Sequence, residues 1–249
     1  MLGSDTVLVE AVAHEWDIFH FQRGTDAGLC LHALLEETDF QQSAHAQIDT
    51  YLPILERHQI DASWYPALYD MIDATRLAQL DEGVCLAQLP PEKRLAEMGF
   101  VMSVSAFEAE NIKQWLLESN LPQSIKDSAR GLHFKDVLGF LNGFIDLVCV
   151  SLQGQVYVID YKSNHLGHLP KHYQDHALNQ AINDHHYYLQ ALIYALAVAR
   201  YLRHRQFAFD GIKVRYLFLR GLKATDKQGV WHWDISGEQL DKIDASLAS

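Results

Sequence analysis

The sequence predicts an α/β fold, a central mixed sheet flanked by helices, with a largely helical portion ahead of it. Three observations carry this. Apolar residues recur at helical spacing from Gly24 to about Leu80. From Gly143 the pattern changes to two apolar, β-branched runs, residues 144–150 and 155–161, separated by a turn. A long helical pattern over 183–205 and another strand run over 211–219 then follow, so helices and strands alternate in the second half.

In chain order, Leu31, Leu34 and Leu35, then Ile48, Leu52 and Leu55, then Leu68, Ile72 and Leu77 each mark one helical face. Pro90 and Pro91 punctuate the chain. Residues 100–104 read as a short strand and 108–118 as a helix, which 119–126 breaks. The runs 144–150 and 155–161 are continuously apolar, which suits a hairpin buried on both faces. Residues 165–180 read as loop. Asn183 or Asp184 can cap the helix after it, and basic residues at its end suit the helix dipole. There is no internal repeat and no Gly/Ser linker. The 249 residues therefore read as a single domain, residues 1–249, with a mainly helical portion over 1–130 and an α/β catalytic core over 131–249.

Nearly half of the residues are apolar, ample for a core, and the longest apolar stretches are too short to span a bilayer. Residues 1–10 lack the basic and apolar regions of a signal peptide. Cys30, Cys85 and Cys149 are odd in number and far apart, which fits a reducing cytoplasm and argues against a disulfide framework. The net charge of −12 is uneven: residues 1–125 carry 6 Lys/Arg against 20 Asp/Glu, residues 126–249 carry 14 against 12. Seven basic residues (Arg200, Arg203, Arg205, Lys213, Arg215, Arg220 and Lys223) face one acid, Asp210, in one stretch. That stretch is either a local phosphate-holding surface or an ordinary solvated helix and strand. Overall acidity suggests that tight binding of any polyanion relies on a partner.

The strongest chemical pattern is the hairpin. Alternation points Asp160 and Lys162 the same way. A two-residue loop, Gln153 and Gly154, would put Asp146 opposite Tyr161 and facing away from Asp160. A three-residue loop from Leu152 puts Asp146 opposite Asp160, with Gly154 where such loops need a left-handed residue. The second register is preferred because it clusters two carboxylates and an ammonium in apolar strands. Such charges are costly to bury unless they pair or bind a metal. An isolated Asp-x-Lys is ordinarily just an ion pair at a strand end.

Here the triplet lies in Ile159-Asp160-Tyr161-Lys162-Ser163-Asn164, one hairpin after Gly143-Phe144-Ile145-Asp146. This resembles the PD-(D/E)xK nuclease superfamily, and within it the RecB type, the C-terminal nuclease domain of the RecB subunit of RecBCD helicase–nucleases. Ile145 stands where the superfamily has proline, and in the RecB type Gly-x-x-Asp replaces that half-motif. Arg23-Gly24-Thr25-Asp26-Ala27-Gly28-Leu29-Cys30-Leu31-His32 is similar to the family's glycine-then-histidine helix. Leu95-Ala96-Glu97-Met98-Gly99-Phe100 is similar to a segment whose glutamate reaches the active site; without that similarity Glu97 reads as a solvated residue before a strand. Tyr187, Gln190 and Tyr194 share one helical face and resemble the family's Gln-x-x-x-Tyr motif.

The resemblance implies a restriction-endonuclease-like core and a Mg²⁺-dependent deoxyribonuclease, exonucleolytic with endonuclease capacity. Asp146, Asp160, Lys162 and Glu97 would be catalytic. His32, Asp146, Asp160 and the Tyr161 backbone carbonyl would hold the metal. Tyr187, Gln190 and Tyr194 would contact DNA. The implied partners are DNA, above all single strands, the helicase subunits of a RecBCD-type complex, and RecA. The rival class is an interaction module that recruits the RecA recombinase. No Gly-x-x-x-x-Gly-Lys-Ser/Thr motor motif occurs. The chain therefore reads as the nuclease end of a longer protein, with residues 1–4 a vector-derived start. His165, His168, His172 and His176 lack cysteine companions and read as mostly solvated rather than as a zinc site.

Overall fold

The computed structural model describes residues 16–133 and 137–247. Residues 1–10 and the vector-like start lie outside them. Five strands form one sheet in the order β1-β2-β3-β4-β5: Arg94–Phe107, Val137–Val150, Val156–Lys162, Gly211–Phe218 and Val230–Ser236. All neighbours are antiparallel except β3 and β4, which run parallel. The sheet is therefore mixed, as expected. The parallel pair needs a crossover, supplied by two consecutive helices, α6 (Asp175–Asp184) and α7 (Tyr187–His204).

The sheet is covered on both faces. Helices α1 (Thr25–Glu36), α2 (Ile48–Arg57) and α3 (Tyr65–Leu77) share a core with Leu147, Cys149, Tyr157, Ile159 and Tyr161. On the other face, α4 (Ala109–Glu118), α5 (Gln123–Arg130), α6, α7 and α8 (Gly237–Leu247) pack on Val148, Val156, Val158, Val214 and Tyr216. The alternate residues of β3 thus feed two different cores, which is why the run read as continuously apolar. In α7, Leu192, Ala195, Leu196 and Ala199 are all fully buried. Truncating Leu192 or Leu196 to Ala would cost about 2–5 kcal/mol.

Three elements differ from expectation. The strand read over 100–104 is the 14-residue β1, so a long sheet strand lies inside the portion read as mainly helical. Its apolar pattern is diluted because Leu95, Glu97, Gly99 and Val101 are exposed. The loop read over 165–180 contains a 3-10 turn, Pro170–Tyr173, and most of α6. The single helix read over 183–205 is broken after Asp184, where His186 takes a left-handed φ of +51°. Neither Asn183 nor Asp184 therefore caps α7; His186 holds that position without a side-chain cap bond. In addition, β5 and α8 complete the sheet edge beyond the last run that periodicity had marked.

Candidate active site

The hairpin between β2 and β3 turns at Leu152, Gln153 and Gly154, closed by the Ser151 N–H donating to the Gln155 carbonyl at 2.8 Å. Gly154 has φ +85°, the left-handed value the three-residue loop requires. The strands then pair from Val150 with Val156 up to Leu147 with Ile159. The next step in that register sets Asp146 against Asp160, and there the strands part. The Asp146 carboxylate accepts the Tyr161 N–H at 2.6 Å, and β2 continues beside β1 alone.

At this fork the strands also change phase. Leu147 and Cys149 belong to the core under α1–α3, whereas Ile145 belongs to the opposite core. Residues two apart in a regular strand share a face, so the alternation slips at Asp146. Glu97 lies across from Asp146 in the β1–β2 register and has φ +48°. That backbone conformation costs a non-glycine residue roughly 1–2 kcal/mol. The slip turns Asp146 to the mouth of the fork, the kind of re-aiming that bulges achieve beside active sites. It also brings Glu97 into the strand, beside Asp146, rather than ahead of it. Burial, Asp146 and Glu36 raise the Glu97 pKa, while His32 opposes them.

Helix α1 closes one side. A Cβ on Gly28 would lie 3.1 Å from Ser163 Oγ, so glycine lets the helix approach the end of β3 closely. One turn later His32 Nδ1 stands 3.4 Å from Asp146 Oδ1. Burial alone would lower the His32 pKa, but Asp146, Asp160 and Glu97 outweigh it and the pKa rises.

Helix α7 closes the other side. Lys162 Nζ sits 2.6 Å from Asp160 Oδ2 and donates to Gln190 Oε1 at 2.7 Å. It also lies 3.6 Å from the Tyr187 ring centre and 4.5 Å from that of Tyr216. A buried ammonium needs this many partners to remain charged. Gln190 is held in turn, its amide donating to Tyr194 Oη at 2.9 Å and its carbonyl accepting the Tyr216 hydroxyl at 3.2 Å. The three residues expected to contact DNA therefore do line the opening with Asp146 and Asp160, around a cavity of about 390 Å³. Gln190 and Tyr194, however, spend their polar tips on aiming Lys162. Tyr216 was missed because a tyrosine between buried Val214 and Phe218 reads as core. Asn164, which accepts the Tyr187 hydroxyl at 3.3 Å, directly follows the Asp-x-Lys pattern and could have been suspected from that position.

Burial raises the Asp160 pKa to about 6, with Lys162 lowering it and Asp146 raising it. The site thus holds more negative charge than Lys162 neutralises. Two carboxylates, a carbonyl-bearing strand end and an imidazole are the donors a hard divalent cation accepts. Yet among the described residues no three His, Cys, Asp or Glu side chains gather tightly enough to hold a metal ion between them. Asp160 is drawn to Lys162 instead. The donor chemistry fits a divalent cation, but the expected ligand set is not preassembled.

Most of the stretch from Arg200 to Lys223 is not a free basic surface; the exposed Arg205, which lies over the Tyr201 ring, is the exception. Arg200 and Arg203 pair with Asp244, Lys213 and Arg215 with Asp81 and Asp234, and Lys223 with Asp226. Arg220 is buried against backbone carbonyls. Charge counting could not see that these cations meet acids from other elements. Nor is the histidine stretch simply solvated: His165 and His168 contact Arg23, and His172 Nδ1 accepts the Leu169 N–H at 3.3 Å.

The PD-(D/E)XK nuclease superfamily pattern matches residues 9–248. The RecBCD enzyme subunit RecB of Escherichia coli strain K12 is 37% identical over 219 residues, 85% of this chain and 18% of that protein. The Haemophilus influenzae subunit is 31% identical over 240 residues, 93% of the chain and 19% of the protein. The Mycobacterium tuberculosis (CDC 1551 / Oshkosh) subunit is 30% identical over 247 residues, 85% and 22%. The chain spans about a fifth of the length of these relatives. From the sheet, the acidic fork and the match along nearly its whole length, the chain belongs to the PD-(D/E)XK nuclease superfamily.

Proposed function

We propose that this chain hydrolyses phosphodiester bonds of DNA, with Mg²⁺, as the nuclease domain of a cytoplasmic helicase–nuclease that processes ends in recombinational double-strand break repair. The observation that carries this reading is the fork at Asp146 and Asp160, two carboxylates with one buried ammonium in otherwise apolar strands. His32, Asp146, Asp160 and the Tyr161 carbonyl would hold the cation. Bound Mg²⁺ would supply Lewis-acid polarisation of the phosphoryl oxygen and a more acidic attacking water.

The chain's own residues do the rest. Lys162, fixed by Gln190 and by two aromatic rings, places a positive charge where negative charge develops on the phosphoryl group. Glu97, across from Asp146, adds a third carboxylate at the fork, its pKa raised by burial and by Asp146 and Glu36. Tyr187 and Tyr194 border the opening, where a single strand would run against their edges. Both exonucleolytic and endonucleolytic cuts are compatible with an open cleft, and a strand delivered by helicase subunits is the natural substrate.

The deciding experiment is cleavage of an end-labelled single strand by the isolated chain, with and without Mg²⁺. Metal-dependent shortening is expected; an intact strand at every Mg²⁺ concentration would sink the reading. A second reading, recruitment of RecA, draws on an apolar face of β1 and β2 that no helix among the described residues covers. Val101, Phe140 and Phe144 on it are 73%, 74% and 66% exposed. If it holds, immobilised RecA captures the chain and Phe144→Ser weakens capture while cleavage is kept.

A further inference from the structure

Arg23 opens the glycine-rich motif that leads into α1, and nothing in the reaction above employs it. Its surroundings are nonetheless built. Arg220, 2% exposed, gives its guanidinium to the backbone carbonyls of Ile18, Phe21, Gln22 and Ser163 at 2.7–3.1 Å. It thereby ties the segment that presents Arg23 to the residue directly after Lys162. Arg23 Nη2 lies 3.0 Å from His165 Nε2 and 3.2 Å from His168 Nε2. A guanidinium only donates, so both Nε2 atoms accept here. Burial, and then Arg23, His168 and Arg220, keep the His165 pKa below its ordinary value, consistent with that role. His20 stacks on His168 at 4.7 Å between ring centres.

The contrast with the other arginines is informative. Arg200, Arg203 and Arg215 are spent on carboxylates, whereas Arg23 meets no carboxylate among the described residues. Neutral acceptors orient a guanidinium without cancelling its charge. Arg23 also borders a cleft of about 1050 Å³ that runs on to His32 and Asp146. Of the two arginines on that cleft, Arg220 has its donors engaged, so Arg23 is the one able to meet an anion.

We infer that Arg23, oriented by His165 and His168, binds a backbone phosphate of the strand lying in this cleft, away from the phosphate being cut. The inference rests on the nuclease reading and names where the flanking strand is held. With Nη2 given to the two histidines, the Nε–H and Nη1–H groups remain to donate to phosphate oxygens, and the guanidinium keeps its full charge.

The test uses the Asp160→Ala protein and a fluorescent oligo-dT of about 20 nucleotides, which binds by backbone and stacking alone. Adding Arg23→Ala should raise Kd about tenfold at low salt. It should also make the slope of log K against log salt shallower by about 0.7, the signature of one lost phosphate contact on a single strand. Arg23→Lys should restore the slope and only part of the affinity, which separates a charge contact from a folding defect. Equal Kd and equal slope with and without Arg23→Ala would overturn the inference while Mg²⁺-dependent cleavage by the wild type leaves the nuclease reading standing. A wild-type chain that neither binds nor cleaves the strand would overturn both.

Discussion

Two clusters of charge sit on the same sheet, and they differ in balance. On the β4 side Asp81, Lys213, Arg215 and Asp234 form a matched set, two acids against two bases, with Tyr157 donating to Asp81 at 2.8 Å. Although burial opposes it, Lys213 and Arg215 bring the Asp81 pKa down to about 2. At the fork Asp146, Asp160 and Glu97 share Lys162 and a half-buried histidine, and the Asp160 pKa goes the other way, up to about 6. A matched cluster holds a fold together. An unmatched one is a standing cost that protonation or a bound cation relieves, which makes it the candidate functional site.

The largest expected effect separates the two clusters by activity. Asp160→Ala should lower Mg²⁺-dependent cleavage by about 10³-fold or more, the scale on which electrostatic groups act in active sites, while the metal-free chain stays folded at neutral pH, where the relief of like charge offsets the lost pairing with Lys162. Wild-type turnover in that variant would remove Asp160 from the site. The reverse is expected of Arg215→Ala. It strips a fully buried cation from Asp81, Asp234 and the Leu80 carbonyl, and should cost about 3 kcal/mol of stability. Activity per folded molecule should be unchanged. A denaturant titration showing Arg215→Ala to be no less stable than Asp160→Ala would erase the contrast.

Acidity sharpens the same distinction. Asp160 ionises near 3.8 in the unfolded chain and at about 6 in the folded one. Between those values the folded state holds more protons, so metal-free stability should fall as pH rises from 4 to 6. The Asp81 shift is opposite: its contribution is present above pH 4 and is lost as pH falls towards 2. Unfolding in EDTA across this range should show both limbs, and Asp160→Ala should abolish only the upper one. An upper limb that survives in the variant would place the titrating group elsewhere.

The smallest effect belongs to His32. A neutral ligand adds affinity without charge, so His32→Ala should raise the Mg²⁺ needed for half-maximal cleavage several-fold, with rescue at high metal. An unchanged Mg²⁺ midpoint together with a lowered metal-free unfolding temperature would make His32 a packing residue instead.

By itself the sequence determined the parts whose physics is local. The turn chemistry of Gly154 chose a three-residue loop, and that loop placed Asp146 against Asp160. Alternation put Asp160 and Lys162 on one strand face, and helical spacing put Tyr187, Gln190 and Tyr194 on one face of a helix. Tertiary structure decided what depends on partners distant in the chain. The phase slip that aims Asp146 and Glu97 needs β1 and β2 to distort together. Gln190 turns inward because Lys162 and Tyr216 meet it across the sheet. Arg200, Arg203, Lys213 and Arg215 of the basic stretch are neutralised by Asp81, Asp234 and Asp244, which come from other elements. Arg23 finds its histidines some 140 residues away, since only packing brings such groups within hydrogen-bond reach, where a charge is either cancelled or left available to a ligand.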